Sequence, residues 1–251
     1  MLGTVTEQPR PSPPESTELH RMDAEPGRGY EGLDGGRNDL IHADLGVLKH
    51  TDRVNVQQTV ESVGAGCDVT NTYILTTDKG EQLFLAIEET SCCSRFWCGP
   101  ARAFRISLRN HNGEDVIRFV RPTRCDACCC PCCMMELMVQ TPIGDVIGYV
   151  KQTWSLFGVV LKIEDSDKNP LMSLRTSCCP CRCFKDMEVQ VECIATDGVG
   201  LIRKQWGSRK QDVNMDHETF NIDFPPGLDT KSRVLLIGAA FLMDYMFFEM
   251  T

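Results

Sequence analysis

The sequence lacks the local patterns from which most catalytic sites are built. Its five histidines are scattered, and their surroundings indicate no Cys/His or Ser/His pair of the kind that activates a nucleophile. It also has no glycine-rich loop of the type that cradles a phosphate group. We therefore expect a protein that is not an enzyme.

The sequence also lacks a net positive charge and an apolar run near its N-terminus. The formal net charge is −9, which disfavours general electrostatic binding to DNA or to an anionic leaflet. Because the first 20 residues contain no apolar run, we expect no signal peptide. The 15 cysteines are then expected in the reducing cytosol, where clustered cysteines indicate metal binding or acylation more often than disulfides.

Apolar residues are sparse in residues 1–44, where proline and glycine are frequent. Such a segment buries too little apolar surface to offset the entropy of ordering it, so we predict a disordered tail. Its PRPSPP stretch fits a polyproline ligand for SH3-type domains or a plain linker. Residues 45–251 are predicted to form one domain.

From about residue 45 the sequence is organised in short β-type runs. Three hairpins are predicted around turns at residues 77–80, 112–113 and 167–170, and a cysteine cluster follows each of them. A second repeat relates MELMV and GYVKQTW to the later MEVQV and GLIRKQW. These patterns predict an all-β sandwich or barrel that carries the three cysteine clusters on one rim.

An acidic loop is predicted after Trp206, and residues 234–248 then form an apolar run that includes Val234, Gly238, Asp244 and Phe248. A helix with no polar face must be buried in protein or in a bilayer. The run is shorter than the ~20 residues that a membrane span usually needs, and Asp244 adds a cost at mid-membrane. A core helix that fills the barrel is favoured, with Asp244 paired to a barrel Arg or Lys, and a C-terminal span remains the alternative.

Five cysteines stand almost together: Cys128, Cys129, Cys130, Cys132 and Cys133. Consecutive exposed cysteines beside apolar residues suit S-acylation. Zinc is the alternative, because Cys125 and Cys128, and also Cys130 and Cys133, have the spacing of zinc ligands.

Two charged stretches near the C-terminus are candidate sites. Asp216, Glu218, Asp223 and Asp229 offer oxygen ligands for Ca²⁺, although the loop departs from an EF-hand, so we expect weak affinity. The basic residues Arg203, Lys204, Arg209 and Lys210 surround Trp206 and suit either a nuclear import signal or a solvent-facing strand.

Five motifs carry a resemblance to a known family. They are CSRFWCGPARAF, RPTRCDACCCPCC, GYVKQTW, the pattern DxxxFxIxFP and the terminal IGAAFLMDYMFFE, in this order. Together they closely resemble the phospholipid scramblase family over about residues 45–251. The resemblance implies a fold similar to the Tubby C-terminal domain, which is a closed twelve-stranded barrel around a hydrophobic C-terminal helix.

The resemblance also implies an activity and its site residues. The family moves phospholipids between leaflets in both directions, with Ca²⁺ and without ATP. The cluster from Cys128 to Cys133 falls on its palmitoylation motif, and the segment Arg203, Lys204, Gln205, Trp206 falls on its nuclear import segment. Its calcium segment falls on Asp216, Glu218, Phe220, Ile222 and Phe224. The last acidic position of that segment is Gly227 here, a loss for which Asp229 is the candidate replacement.

Two functions follow as hypotheses. The first is a scramblase at the cytosolic face of the plasma membrane, or in single-pass type II orientation, acting on membrane phospholipids alone or as a homo-oligomer. The second is a palmitoylated, membrane-docked adaptor that binds signalling proteins and, when not acylated, enters the nucleus with importin. Sequence-specific nucleic-acid binding is not expected at this net charge.

Overall fold

The computed structural model describes residues 43–60, 71–89, 103–123, 134–155, 158–176, 187–194, 197–205 and 219–247. The predicted disordered tail lies almost wholly outside these residues. A short 3-10 helix (Gly46–His50) precedes the strands. The strands are β1 (Arg53–Val60), β2 (Asn71–Thr77), β3 (Gln82–Glu89), β4 (Phe104–Arg109), β5 (Asp115–Arg121), β6 (Glu136–Gln140), β7 (Val146–Thr153), β8 (Val160–Asp165), β9 (Pro170–Arg175), β10 (Met187–Cys193), β11 (Val199–Gln205) and β12 (Thr219–Asp223).

These strands form one closed antiparallel barrel. Each strand pairs with its neighbour in sequence, and β1 pairs with both β2 and β12, so that the first strand closes on the last. The expected all-β, twelve-stranded barrel is therefore confirmed. Buried residues alternate along most strands, as in β2 and β12, because successive side chains of a strand point to opposite faces of the sheet.

The C-terminal helix, α1 (Thr230–Phe247), fills the barrel. Every residue from 232 to 245 is buried, and the helix contacts β6, β7, β8, β12 and the 3-10 helix. Aromatic rings line its path: Phe241 lies 5.1 Å from Tyr73 and 5.3 Å from Phe119 between ring centroids, and Tyr245 stacks on Phe104 at 3.9 Å. The prediction of a core helix is thus correct, and Phe248 lies outside the described residues.

Two expectations about the C-terminal region need correction. Residues 207–233 were expected to form an acidic loop, but Thr219–Asp223 is a strand and α1 begins at Thr230. The sequence of β12, TFNID, alternates apolar and polar residues, and Phe220 and Ile222 face the core. The helix begins four residues before the apolar run because Asp229 caps it, as described below.

Close approach of α1 to the sheet depends on two glycines. An added Cβ on Gly148 of β7 would lie 2.3 Å from the carbonyl oxygen of Glu164 and 3.0 Å from both terminal carbons of Leu235. An added Cβ on Gly238 of α1 would lie 3.1 Å from ring atoms of Phe119 and 3.2 Å from Leu137. Side chains at these positions would therefore push the helix away from the barrel wall.

The barrel has two different ends. At the turn end, short turns join β2 to β3, β4 to β5, β6 to β7, β8 to β9 and β10 to β11, and α1 enters the barrel. At the opposite end, which we call the cysteine end, β3, β5 and β9 finish and β4, β6 and β10 begin. The cysteine-containing residues between these strands, 90–102, 124–133 and 177–186, lie outside the described part of the chain. The described strands that flank each of the three cysteine clusters therefore finish and begin at one end of the barrel, while the predicted placement of the clusters themselves on one rim falls on residues outside the described part.

Candidate functional site

A buried ion pair joins α1 to the barrel near the cysteine end. The Lys204 Nζ lies 3.0 Å from Asp244 Oδ1, and their side chains are 0% and 4% exposed. The Tyr73 hydroxyl donates a hydrogen bond to Asp244 Oδ2 at 3.2 Å. Lys204 also lies 4.7 Å from the centre of the Phe220 ring. The expected pairing of Asp244 with a basic barrel residue is observed, and the residue is Lys204.

The electrostatics of this pair are dominated by burial. Burial raises the pKa of the Asp244 carboxyl, the nearby Lys204 charge and the hydrogen bonds from Lys204 and Tyr73 oppose the rise, and the Glu88 charge adds to it. A charge in the barrel interior has a large desolvation cost unless it is paired and hydrogen-bonded. Asp244 therefore fastens the helix in one position inside the barrel.

A second polar contact fastens α1 at the turn end. The Arg233 guanidinium is buried, donates hydrogen bonds to the carbonyl oxygens of Leu48, Thr51 and Leu228, and lies 5.0 Å from the centre of the Phe224 ring. Burial lowers the pKa of this group, against the charges of Asp52 and Asp229. The 3-10 helix is thereby tied to the start of α1.

The described part of the predicted calcium segment is built into the fold. The side chains of Phe220, Ile222 and Phe224 are buried in the core and contain no oxygen that could bind Ca²⁺. Asp229 caps α1: its Oδ2 accepts hydrogen bonds from the backbone nitrogens of Lys231 and Ser232 at 3.2 and 3.3 Å. Asp216 and Glu218 lie outside the described residues.

Gly227 has a conformational reason to be glycine. Its φ is +76°, and the Leu228 nitrogen donates to the Pro225 carbonyl oxygen at 3.4 Å across the turn. This is the turn position at which a positive φ favours glycine over other residues. Among the described residues, no group of three or more His, Cys, Asp or Glu side chains is placed to hold a metal ion.

The basic segment is divided between the two faces of β11. Arg203 points outward and pairs with Asp223 at 2.6 Å and with Glu188 at 3.1 Å, whereas Lys204 is buried against Asp244. The Gln205 side chain and Trp206 lie outside the described residues. In the folded barrel, an import receptor would meet Arg203 and not Lys204.

The cysteines predicted to be acylated, Cys128, Cys129, Cys130, Cys132 and Cys133, lie outside the described residues, as do the zinc candidates. In the part of the chain that the structure describes, no helix combines the length and the apolarity needed to cross a bilayer.

Sequence reasoning missed two residues that hold the helix. Tyr73 occupies an inward position of β2, and its alternation with Leu75 is the signal that would have placed it in the core. Arg233 stands just before the apolar run, and no local pattern in the sequence reveals that it is buried.

Comparison with known proteins identifies a family to which this chain is similar. The family model described as Scramblase matches residues 38–250. The chain is similar to phospholipid scramblase 1 of Homo sapiens, with 35% identity over 210 residues that cover 82% of this chain and 66% of the relative. It is also similar to phospholipid scramblase 2 of Bos taurus, with 35% identity over 82% of this chain and 72% of the relative.

A third relative is phospholipid scramblase family member 5 of Homo sapiens, with 34% identity over 82% of this chain and 77% of the relative. The matched part of the chain thus spans about two thirds of the length of the first of these relatives. No solved structure matches the chain.

Proposed function

Because the chain belongs to the scramblase family, we propose that it moves phospholipids in both directions between the leaflets of a membrane, without ATP and in response to Ca²⁺. The observation that carries this proposal is the match of the family model to residues 38–250, which include the whole barrel and α1. The names of the relatives support the substrate class. The proposed role is that of a lipid transporter and not of a catalyst.

The packed interior restricts how such a protein could act. Every residue of α1 from 232 to 245 is buried, and the inward side chains of the strands pack on it, so a phospholipid headgroup has no passage through the barrel. We therefore place the lipid pathway outside the barrel, at a membrane that the protein perturbs alone or as a homo-oligomer.

Acylation is the proposed means of attachment. In the sequence, the cysteines from Cys128 to Cys133 stand between β5, which finishes at the cysteine end, and β6, which begins there. One acyl chain gives only marginal membrane binding, whereas two or more hold a protein stably. Acylation at several of these positions would fix the cysteine end toward the cytosolic leaflet of the plasma membrane.

Few residues of the predicted calcium segment remain available to bind Ca²⁺. Asp229 is committed to the helix cap, and Phe220, Ile222 and Phe224 are core residues, so we assign any Ca²⁺ response to Asp216 and Glu218. A site with so few carboxylates favours weak affinity, on the order of 10⁻⁴–10⁻³ M.

The test uses purified full-length protein in vesicles that carry a fluorescent phospholipid in both leaflets. A membrane-impermeant quencher is added with and without Ca²⁺, and Asp216→Asn/Glu218→Gln is compared with Asp167→Asn, an exposed turn carboxylate. We expect quenching beyond the outer half only with Ca²⁺, and only when Asp216 and Glu218 are intact. Quenching that stops at half under all conditions would reject autonomous scrambling.

The second candidate function is a palmitoylated adaptor that docks on membranes and enters the nucleus when not acylated. The specific observation in its favour is that α1 is held inside the barrel at both ends, by Arg233 and by Asp244. Such a protein would bind vesicles and leave the lipid distribution unchanged. Import would depend on Arg203 and on residues outside the described part, so Arg203→Ala should reduce nuclear accumulation while the barrel remains folded.

A further inference from the structure

The rim formed by β7, β8 and β9 at the cysteine end carries an unusual set of exposed side chains. Trp154, which follows β7, is 52% exposed. Arg175, at the end of β9, has a side chain that is 68% exposed, and Lys162 on β8 is exposed as well. We call these three residues the Trp154 face.

Strand register places the three residues on one end of the barrel. Thr153 lies opposite Val160, and Val160 lies opposite Arg175. The Thr176 nitrogen donates to the Val159 carbonyl oxygen at 3.1 Å, which continues the pairing to the rim. Trp154 and Arg175 therefore flank β8 at its beginning, and Lys162 lies two residues further along that strand.

Lys162 has a position that folding alone does not explain. It is directly opposite Lys151 on the outer face, and like charges at opposed positions destabilise a sheet. Lys151 is compensated by Glu164 at 2.6 Å and by the Tyr149 ring at 4.9 Å. Lys162 has no such ion pair among the described residues. The Arg175–Glu192 distance is 3.9 Å between two exposed side chains, which contributes little.

The opposite end of the barrel carries more negative than positive charge among the described residues. Each of the five short turns at the turn end has at least one exposed carboxylate, against two exposed lysines, Lys79 and Lys168, in all five. The carboxylates are Asp78, Glu81, Glu114, Asp145, Asp167 and Asp197. An anionic surface would repel these carboxylates and attract Lys162 and Arg175, since the negative potential of such a surface draws in nearby basic side chains. The cysteine end also has exposed carboxylates, but Glu89 and Glu188 each face an arginine, Arg105 and Arg203. The attraction to an anionic membrane is therefore assigned to Lys162 and Arg175 and not to the whole end.

We propose that the Trp154 face is a docking surface for anionic phospholipid headgroups. Trp154 enters the interfacial layer, where tryptophan is enriched in membrane proteins, and Lys162 and Arg175 bind phosphate or carboxylate groups of the lipids. A single acyl chain needs such a second signal for stable attachment. This inference rests on the proposed function only in placing the chain at a phospholipid membrane, and it names the class of lipid that holds it there.

The first experiment measures sedimentation of the unacylated full-length protein with phosphatidylcholine vesicles, with and without phosphatidylserine. We expect binding that requires phosphatidylserine and weakens with salt. Lys162→Gln/Arg175→Gln should lower the partition coefficient about fivefold per charge removed. The matched control, Lys79→Gln/Lys168→Gln at two exposed lysines of the turn end, should bind as the wild type does. Equal loss in both double variants, or no binding of the wild type, would overturn the proposal.

The second experiment follows Trp154 itself. In a Trp97→Phe/Trp206→Phe variant, Trp154 is the remaining tryptophan, and its emission should shift to the blue and be quenched by brominated acyl chains when vesicles bind. Trp154→Ala should weaken binding, whereas Val199→Ala, at a residue 61% exposed at the turn end, should not. Bound protein with unchanged Trp154 emission would contradict the proposal.

The two proposals fail separately. Leaflet equilibration is measured in the same vesicles: binding through the Trp154 face without lipid movement removes only the scramblase function. Lipid movement that persists in Trp154→Ala and in Lys162→Gln/Arg175→Gln, with unchanged binding, removes only the docking surface. The variants concern exposed side chains, so a urea unfolding midpoint equal to that of the wild type verifies that each is folded.

Discussion

At the scale of single residues, the barrel interior contains a buried acid–base pair that an all-apolar core would not need. Lys204 and Asp244 are almost completely buried, and Tyr73 completes the coordination of the carboxylate. Replacing a buried pair by apolar residues is often neutral for stability, but removing one partner is costly because a charge is left alone. The pair therefore specifies the position of the helix more than it stabilises the fold.

This distinction gives a prediction for Lys204→Met. We expect a loss of about 3–5 kcal/mol in the free energy of unfolding, because the Asp244 carboxylate loses its cation in a buried site. The double variant Lys204→Met/Asp244→Leu should recover most of that loss. Urea denaturation of the three proteins measures both effects, and a double variant no more stable than the single one would show that the pair is not the cause.

A second residue-scale prediction concerns the seam between the first and last strands. Asp223 of β12 pairs with Arg53 of β1 and with Arg203 of β11. Burial raises the pKa of Asp223, but the hydrogen bonds and charges of the two arginines outweigh it, and the net pKa is lowered. A carboxyl with a lowered folded pKa contributes stability above its unfolded value of about 3.9, and this contribution is lost as pH falls through the folded value.

Asp223→Asn should therefore cost about 1 kcal/mol at pH 7, in line with partly exposed ion pairs. The difference from the wild type should shrink below about pH 4 and vanish in stronger acid. Unfolding curves at a series of pH values measure it, with Asp167→Asn at an exposed turn as the control. A difference that stays constant down to low pH would argue against the ion pairs as its source.

At the scale of the elements, close packing explains why both copies of the internal repeat have a glycine at the same position. Gly148 and Gly200 are equivalent in the two copies, and neither has room for a side chain. Gly148 faces Leu235 of α1, and an added Cβ on Gly200 would lie 2.7 Å from Pro225 Cδ. The copies differ four residues after these glycines. Gln152 accepts a hydrogen bond from the Met135 nitrogen, while its counterpart Lys204 holds Asp244.

The helix itself gives an element-scale prediction. Gly238→Leu adds a large side chain where even a Cβ would meet Phe119 and Leu137, and overpacking of this kind costs about 1–3 kcal/mol or more. A helix in lipid would instead gain apolar surface from the same change. We expect a lower unfolding midpoint for Gly238→Leu and little change for Lys231→Leu, at an exposed position of the same helix. An unchanged midpoint for both would place Gly238 outside a packed core.

The sequence allowed the elements to be predicted better than the contacts between them. The β-runs and turns are local patterns, so the barrel was predicted correctly. The length of the apolar run and the charge of Asp244 are also local features, and both favoured a core helix over a membrane span. The partner of Asp244 could be foreseen only as a basic residue, because Lys204 stands next to Arg203 and only strand register turns one inward and the other outward. The capping role of Asp229 was missed because the first turn of α1 is polar, so the apolar run did not reveal where the helix begins.

At the scale of the whole molecule, the barrel and α1 form one core. Inward residues of strands all around the barrel belong to a single cluster with residues from 234 to 245, to which Leu45 and Leu48 also belong. Among the described residues, α1 therefore supplies most of the apolar surface on which the inner face of the wall packs. Moving the helix out would leave a cavity along the barrel axis, break the Arg233 and Asp244 contacts and expose Lys204. The cost of emptying a core rises with the volume of the cavity left behind.

A chain that ends at Asp229 should therefore fail to fold into a stable barrel. The strands would keep their alternation of apolar and polar residues, but the barrel interior would lack the side chains of α1. The described part of the chain offers no second layer on which the inner face of the barrel could pack. We expect no cooperative unfolding transition by urea or heat, and strong binding of a hydrophobic dye, whereas removal of residues 1–42 should leave the transition in place. If the truncated chain unfolded cooperatively with the wild-type midpoint, α1 would be free to leave the barrel for a bilayer. In that case the membrane-spanning alternative would regain its physical basis.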